Sequence, residues 1–133
     1  MLAPEEYLKD CQVDIWPERY AIARAKCVPN NFLAVFNDQE ETTVVANEKF
    51  LADDWVIEAE RGWKLLSFRT VLPFALTGFL AVIANALAEN KIAIFVLSAY
   101  STDHLLVKED DLAATECVLA ELGCTVHLFS HSE

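Results

Sequence analysis

At 133 residues the chain has room for one ordinary domain or two very small ones, and 54% hydrophobic residues give it the means to bury a core, which sets it apart from disordered chains. Twenty-one acidic against ten basic residues give a formal charge of −11, which disfavours any surface that attracts nucleic acid or anionic lipid. The longest apolar run, Phe79 to Leu87, contains Asn85 and falls short of a membrane span.

The N-terminus, Met1-Leu2-Ala3-Pro4-Glu5-Glu6-Tyr7, has no basic start and no hydrophobic segment of a signal peptide, so a cytoplasmic protein is expected. Residues 1–17 read as an N-terminal extension with a possible helical turn over 4–10 and a break at Pro17. Tyr20–Ala25 alternates weakly and predicts a strand that ends at the turn residues Pro29, Asn30 and Asn31. Phe32–Phe36 and Thr42–Ala46 predict a hairpin around the polar turn 37–41. Asn47–Asp53 can form a short helix and Trp55–Glu60 a closing strand, before Arg61-Gly62 turns the chain into its second part.

Lys64–Val71 predicts the next strand, stopped by Pro73, which cannot donate to a ladder. Thr77 then offers a hydroxyl to a helix beginning at Gly78, in which Phe79, Ile83, Ala86 and Leu87 share one face, and Asn90 is a candidate left-handed cap. Lys91–Ser98 and Ala99–Val107 predict two more strands. In the first of these Ile92, Ile94 and Val96 alternate with Ala93, Phe95 and Leu97, so both faces are apolar and both need cover: from the first half of the chain, from a second subunit, or from both. Glu109, Asp110 and Asp111 put negative charge at the start of a second helix carrying Leu112, Leu119 and Leu122, Gly123 stops it, and Cys124–Phe129 is the last strand. His127 on that strand reads as an exposed or hydrogen-bonded residue rather than a ligand. Shifted by 62 positions, residues 40–50 lie over 102–112, with Glu41 on Asp103 and Val44-Val45 on Leu106-Val107, which suggests a duplicated unit whose first copy has no room for a three-turn helix.

The order of loop, helix and two strands, with Thr77-Gly78-Phe79-Leu80 and Ser101-Thr102-Asp103-His104-Leu105-Leu106-Val107, resembles the ACT domain family, small regulatory modules that bind amino acids. The likeness is nearest to stand-alone paired-ACT proteins of the aspartate-kinase type, and it covers residues 62–130 well and 18–62 more weakly. The resemblance implies an α+β fold: an N-terminal extension (1–17), a degenerate ACT-like half (18–61) and a ferredoxin-like βαββαβ ACT domain (62–133). It also implies pairing of domains, here as a homodimer.

Catalysis is not expected. The chain has no G-x-S-x-G, H-E-x-x-H, G-x-G-x-x-G or phosphate loop, and glycines stand only at 62, 78 and 123, so no nucleotide cradle and no cofactor is predicted. Cys11, Cys27, Cys117 and Cys124 lack C-x-x-C spacing and read as small apolar residues rather than disulfides or metal ligands. Adjacent strand residues such as Asp103 and His104 point to opposite faces and do not readily share a ligand.

A helix start at Gly78 suits a small carboxylate, because its N–H groups are free and no Cβ blocks the approach; equally, Thr77 can merely cap and Gly78 merely turn. The family binds its effector at this loop, which implies Phe74, Ala75, Leu76, Thr77, Gly78 and Phe79 here, although Pro73-Phe74-Ala75-Leu76 replaces the glycine-rich loop often seen and leaves the ligand's identity open. An amino acid's ammonium group needs a carboxylate, and Asp103 beside Thr102 is the first candidate. Glu41 and Asp38, in the matching turn of the first half, are the second, either as ligands or as solvated turn residues. The expected function is an amino-acid-binding regulatory or sensor protein; the alternative is an ACT-fold interaction module that binds a protein and has lost its ligand.

Overall fold

The computed structural model describes residues 8–69 and 78–129 and divides the chain into two compact units, Glu18–Trp63 and Met1–Pro17 with Lys64–Glu133. Two long strands supply both: β1 (Gln12–Ala25) and β4 (Val56–Phe68). They run antiparallel, with the Arg69 amide donating to the Gln12 carbonyl near one end and the Lys26 amide to the Trp55 carbonyl at the other.

In the smaller unit β2 (Ala34–Asn37) and β3 (Thr42–Asn47) form the expected hairpin, and β3 lies against the second half of β1. Counting β1, β2, β3 and β4 as strands one to four, the sheet order is 4-1-3-2. Ala23, Ala25, Val44 and Ala46 alternate toward one face and are closed by Trp55, whose indole N–H donates to the Phe50 carbonyl at 3.0 Å. The short helix expected over 47–53 is a single 3₁₀ turn, Glu48–Phe50, capped by the Asn47 side chain.

The larger unit continues from β4 into α1 (Phe79–Glu89), β5 (Ile94–Ser98), β6 (Asp103–Lys108), a 3₁₀ turn, α2 (Leu112–Leu122) and β7 (Thr125–Leu128). This is the βαββαβ succession, and its strands again follow 4-1-3-2, with the start of β1 inserted between β7 and β4. Val13, Ile15, Leu66, Phe68, Leu105 and Val107 present one face to Phe79, Ile83 and Leu87 of α1 and to Val118 and Leu119 of α2. The residues of α1 recur every four positions because that spacing keeps side chains on one helical face.

Each unit contains a hairpin of the same form. Residues 42–47 and 103–108 have the same burial pattern, with Val44-Val45-Ala46 and Leu105-Leu106-Val107 buried, and a 3₁₀ turn follows each. The pairings Val35↔Val44 and Val96↔Leu105 superimpose at 61 positions, as do the three other pairs of the β2–β3 ladder on pairs of β5–β6. The sequence register of 62 is therefore one too long, and Glu41 corresponds to Thr102 rather than to Asp103.

Other differences have local causes. β1 starts at Gln12, well before Tyr20, and runs through Pro17. Odd-numbered residues of β1 bond toward β7, but that ladder stops where the Phe129 amide meets the Ile15 carbonyl, so the missing N–H of Pro17 breaks no bond. The expected turn at Arg61-Gly62 is the interior of β4: Gly62 takes φ +81° and gives its N–H to a Glu48 carboxylate oxygen at 2.6 Å. The left-handed residue after α1 is Lys91 (φ +60°) rather than Asn90; the Ile92 amide reaches back to Leu87 and the Lys91 amide to Ala88, with Ile92 and Leu87 both buried. Finally, the strand expected over 91–98 is shorter and lies at the sheet edge. Ile94 packs on the core, Phe95 and Leu97 are half-buried, and Val96 is 39% exposed, so cover is only partial.

Candidate ligand-binding site

Of the residues implied by sequence, Phe74, Ala75, Leu76 and Thr77 lie outside the described residues. Gly78 is the N-cap of α1, in a left-handed conformation at φ +92°, which a side chain would resist. It has no side chain to cap with, and no acidic residue stands in the first turn. The Phe79 side chain points the other way: it is buried and meets Phe68 edge-on at 6.0 Å between ring centres. What it can offer a ligand is backbone.

Thr102 and Asp103 are half-buried where the β5–β6 turn enters β6; the turn is closed by the Ala99 amide on the Thr102 carbonyl, and Asp103 pairs with Ser98. A polar run ties this turn to the end of β4. The indole of Trp16 can only donate, so Ser67 Oγ accepts from it at 2.8 Å. The Ser67 hydroxyl can then donate to His104 Nδ1 at 2.7 Å, and the ring's Nε2–H to Thr102 Oγ1 at 3.2 Å. This assignment has a neutral imidazole, in keeping with burial, which lowers the His104 pKa from its ordinary value against the opposing effect of Asp103. Trp16 is held by stacking on Phe129, with ring centres 4.1 Å apart.

The end of β4 therefore lies beside the start of β6, at the turn bearing Thr102 and Asp103. Beside Ser67 on the same strand pair, Arg69 makes a bidentate ion pair with the nearly buried Asp14, both contacts 2.8 Å, and Gln12 hydrogen-bonds His127. Ser67, Trp16 and His104 are the residues that sequence reading missed as a group. Each is unremarkable alone, and only the pairing of three strands brings them into line.

Asp38 and Glu41 lie in the smaller unit. Asp38 Oδ1 accepts from the amides of Glu40 and Glu41 at 2.7 and 2.9 Å, so its carboxylate closes its own turn. Exposed Glu41 lines an open concavity of about 650 Å³ with Thr43, Glu58, Glu60 and Arg24, the last paired to Glu58 at 3.1 Å. Among the described residues no three of His, Cys, Asp or Glu are grouped to hold a metal ion, and no helix is long and apolar enough to cross a membrane.

Residues 58–121 match the family model of the ACT domain. This segment is an ACT domain. It takes in most of β4, both helices and the β5–β6 hairpin, so Gly78, Thr102 and Asp103 all stand inside it. A protein of Agobacterium tumefaciens is similar throughout: 27% identity over 93% of this chain and 97% of its own, with a TM-score of 0.80. The regulatory subunit of aspartate kinase from Thermus thermophilus shares the fold at 10% identity, over 83% of this chain and 95% of that one, with a TM-score of 0.61. Aspartate kinase of Clostridium acetobutylicum does so at 13% identity, over 83% of this chain and 34% of the enzyme, with a TM-score of 0.63. No functionally curated protein matches the sequence.

Proposed function

We propose that this chain is a regulatory protein that binds a free amino acid and catalyses no reaction. The observation that carries the reading is the start of α1: among the described residues no side chain caps it and no carboxylate stands in its first turn, which suits its amide hydrogens and the positive end of the helix dipole to an α-carboxylate. Asp103 takes the ammonium group, with Thr102 beside it. Phe74, Ala75, Leu76 and Thr77 are further residues we assign to the ligand, and Glu41 is the alternative carboxylate. Asp38 is left to its turn.

Regulation requires the chain to report its ligand to something else. The edge strand β5, with Val96 exposed and Phe95 and Leu97 half-buried, is the surface we assign to pairing with a second copy, in the cytoplasm. Light scattering on the purified protein at micromolar concentration tests this, with a dimer expected and Val96→Lys expected to yield monomer. If no amino acid binds, the same edge favours the second reading, an interaction module for another protein.

A thermal-shift screen against the twenty amino acids at millimolar concentration tests the ligand directly. A ligand at a hundred times its dissociation constant adds about 2.7 kcal/mol of stability. One amino acid is expected to raise the melting temperature of the wild type and to lose that effect in Asp103→Ala. A folded protein that responds to none of them contradicts the proposal.

A further inference from the structure

Two of the four cysteines meet in the core. Cys11 immediately precedes β1 and Cys124 immediately precedes β7, and the parallel ladder opens one residue later with Gln12↔Thr125. The Thr125 amide donates to the Cys11 carbonyl at 2.8 Å, which fixes the two chains side by side at this level. Both side chains belong to the same buried cluster and are hydrogen-bonded to each other, and neither is in a disulfide. Neighbouring strands run about 4.8 Å apart, within the roughly 4.4–6.8 Å between Cα atoms that a disulfide spans. The position of Cys124 is fixed from its own side too: its amide donates to the Leu119 carbonyl in the cap of α2. Cys27 and Cys117 are exposed and separate from this pair.

We propose that Cys11 and Cys124 are an oxidation site, forming a disulfide that clamps the start of β1 to the start of β7 when the protein meets a peroxide. A thiolate of the pair attacks a peroxide oxygen, taking up an OH group as the sulfenic acid and releasing hydroxide, which the medium protonates. The partner sulfur attacks the sulfenic sulfur, the S–S bond forms, and the OH leaves as water with the second thiol's proton. Two thiols lose two electrons in all, and one hydrogen peroxide becomes two waters. Burial and the contact with Cys11 hold the Cys124 proton on, so the pair carries at most one negative charge and the first step is slow. It proceeds through opening at the two strand starts, which lie at the margin of the sheet. The second step is fast because the partner is already in place.

The test uses the full chain with Cys27→Ser and Cys117→Ser, both exposed positions, so that only the pair can react. The native protein is treated with hydrogen peroxide, quenched and digested without reductant. The expected result is loss of two hydrogen masses, a peptide containing Cys11 linked to one containing Cys124, full reversal by dithiothreitol, and a higher melting temperature for the linked form, since the bond closes a loop over most of the chain. Recovery of both thiols as free after unfolding and alkylation, sulfinic acid on one cysteine without linkage, or a linked form that melts no higher would each overturn the proposal.

Discussion

His104 illustrates how a single residue acquires a role from its neighbours. Its neutral ring is fully satisfied, with Nδ1 accepting from Ser67 and Nε2 donating to Thr102, and burial lowers its pKa. The unfolded chain, with an ordinary imidazole near 6.5, binds the proton more readily than the folded one. Stability from this residue is therefore complete above about pH 6.5 and falls as pH drops through that value toward the folded pKa. Melting temperatures between pH 8 and 5 are expected to decline in the wild type, and to decline less in His104→Asn. Ser67→Ala removes the hydroxyl that both Trp16 and His104 use, and chemical denaturation is expected to give a loss of about 1–3 kcal/mol. Gly62 is a backbone case: a Cβ there meets no atom within 4 Å, yet φ is +81°. Gly62→Ala is thus expected to cost about 1–2 kcal/mol from the left-handed conformation alone, read as a shift in the urea midpoint.

At the level of elements, the sequence disclosed what periodicity and punctuation control. α1 starts after Gly78 and α2 ends at Gly123, as expected, though α1 ends with Lys91 rather than Asn90 left-handed, and the β2–β3 and β5–β6 hairpins lie where turn residues divide β-branched runs. It hid what depends on long-range pairing. Gln12–Pro17 carry no strand signal by themselves and become strand because β7 and β4 flank them, while Gly62 looks like a turn and is instead a kink inside β4 whose amide is met by Glu48 fourteen residues earlier. The candidate site was legible by halves for the same reason. Gly78 and Asp103 stand out locally, but the line through Trp16, Ser67 and His104 needs three strands in register. Burial separates the elements further. Ile83 in α1 is fully buried against the sheet and Val96 on β5 is not, so Ile83→Ala is expected to cost about 2–5 kcal/mol and Val96→Ala close to nothing in the same denaturation assay.

Across the whole molecule the two units repeat one strand order and one hairpin register at 61 positions, but only the larger unit keeps its helices. The smaller has a loop where the first would be and a single 3₁₀ turn for the second. A helix start is what offers an anion its amide hydrogens, and the start of α1 at Gly78 carries no acidic residue in its first turn, whereas α2 follows Glu109, Asp110 and Asp111. The measurement that tests this account most directly is isothermal titration of the wild type and Asp103→Ala with whichever amino acid gives the largest thermal shift. Saturable binding by the wild type, weakened at least tenfold in Asp103→Ala while that variant keeps its melting temperature, is the predicted result. Equal affinity in the two proteins would contradict it.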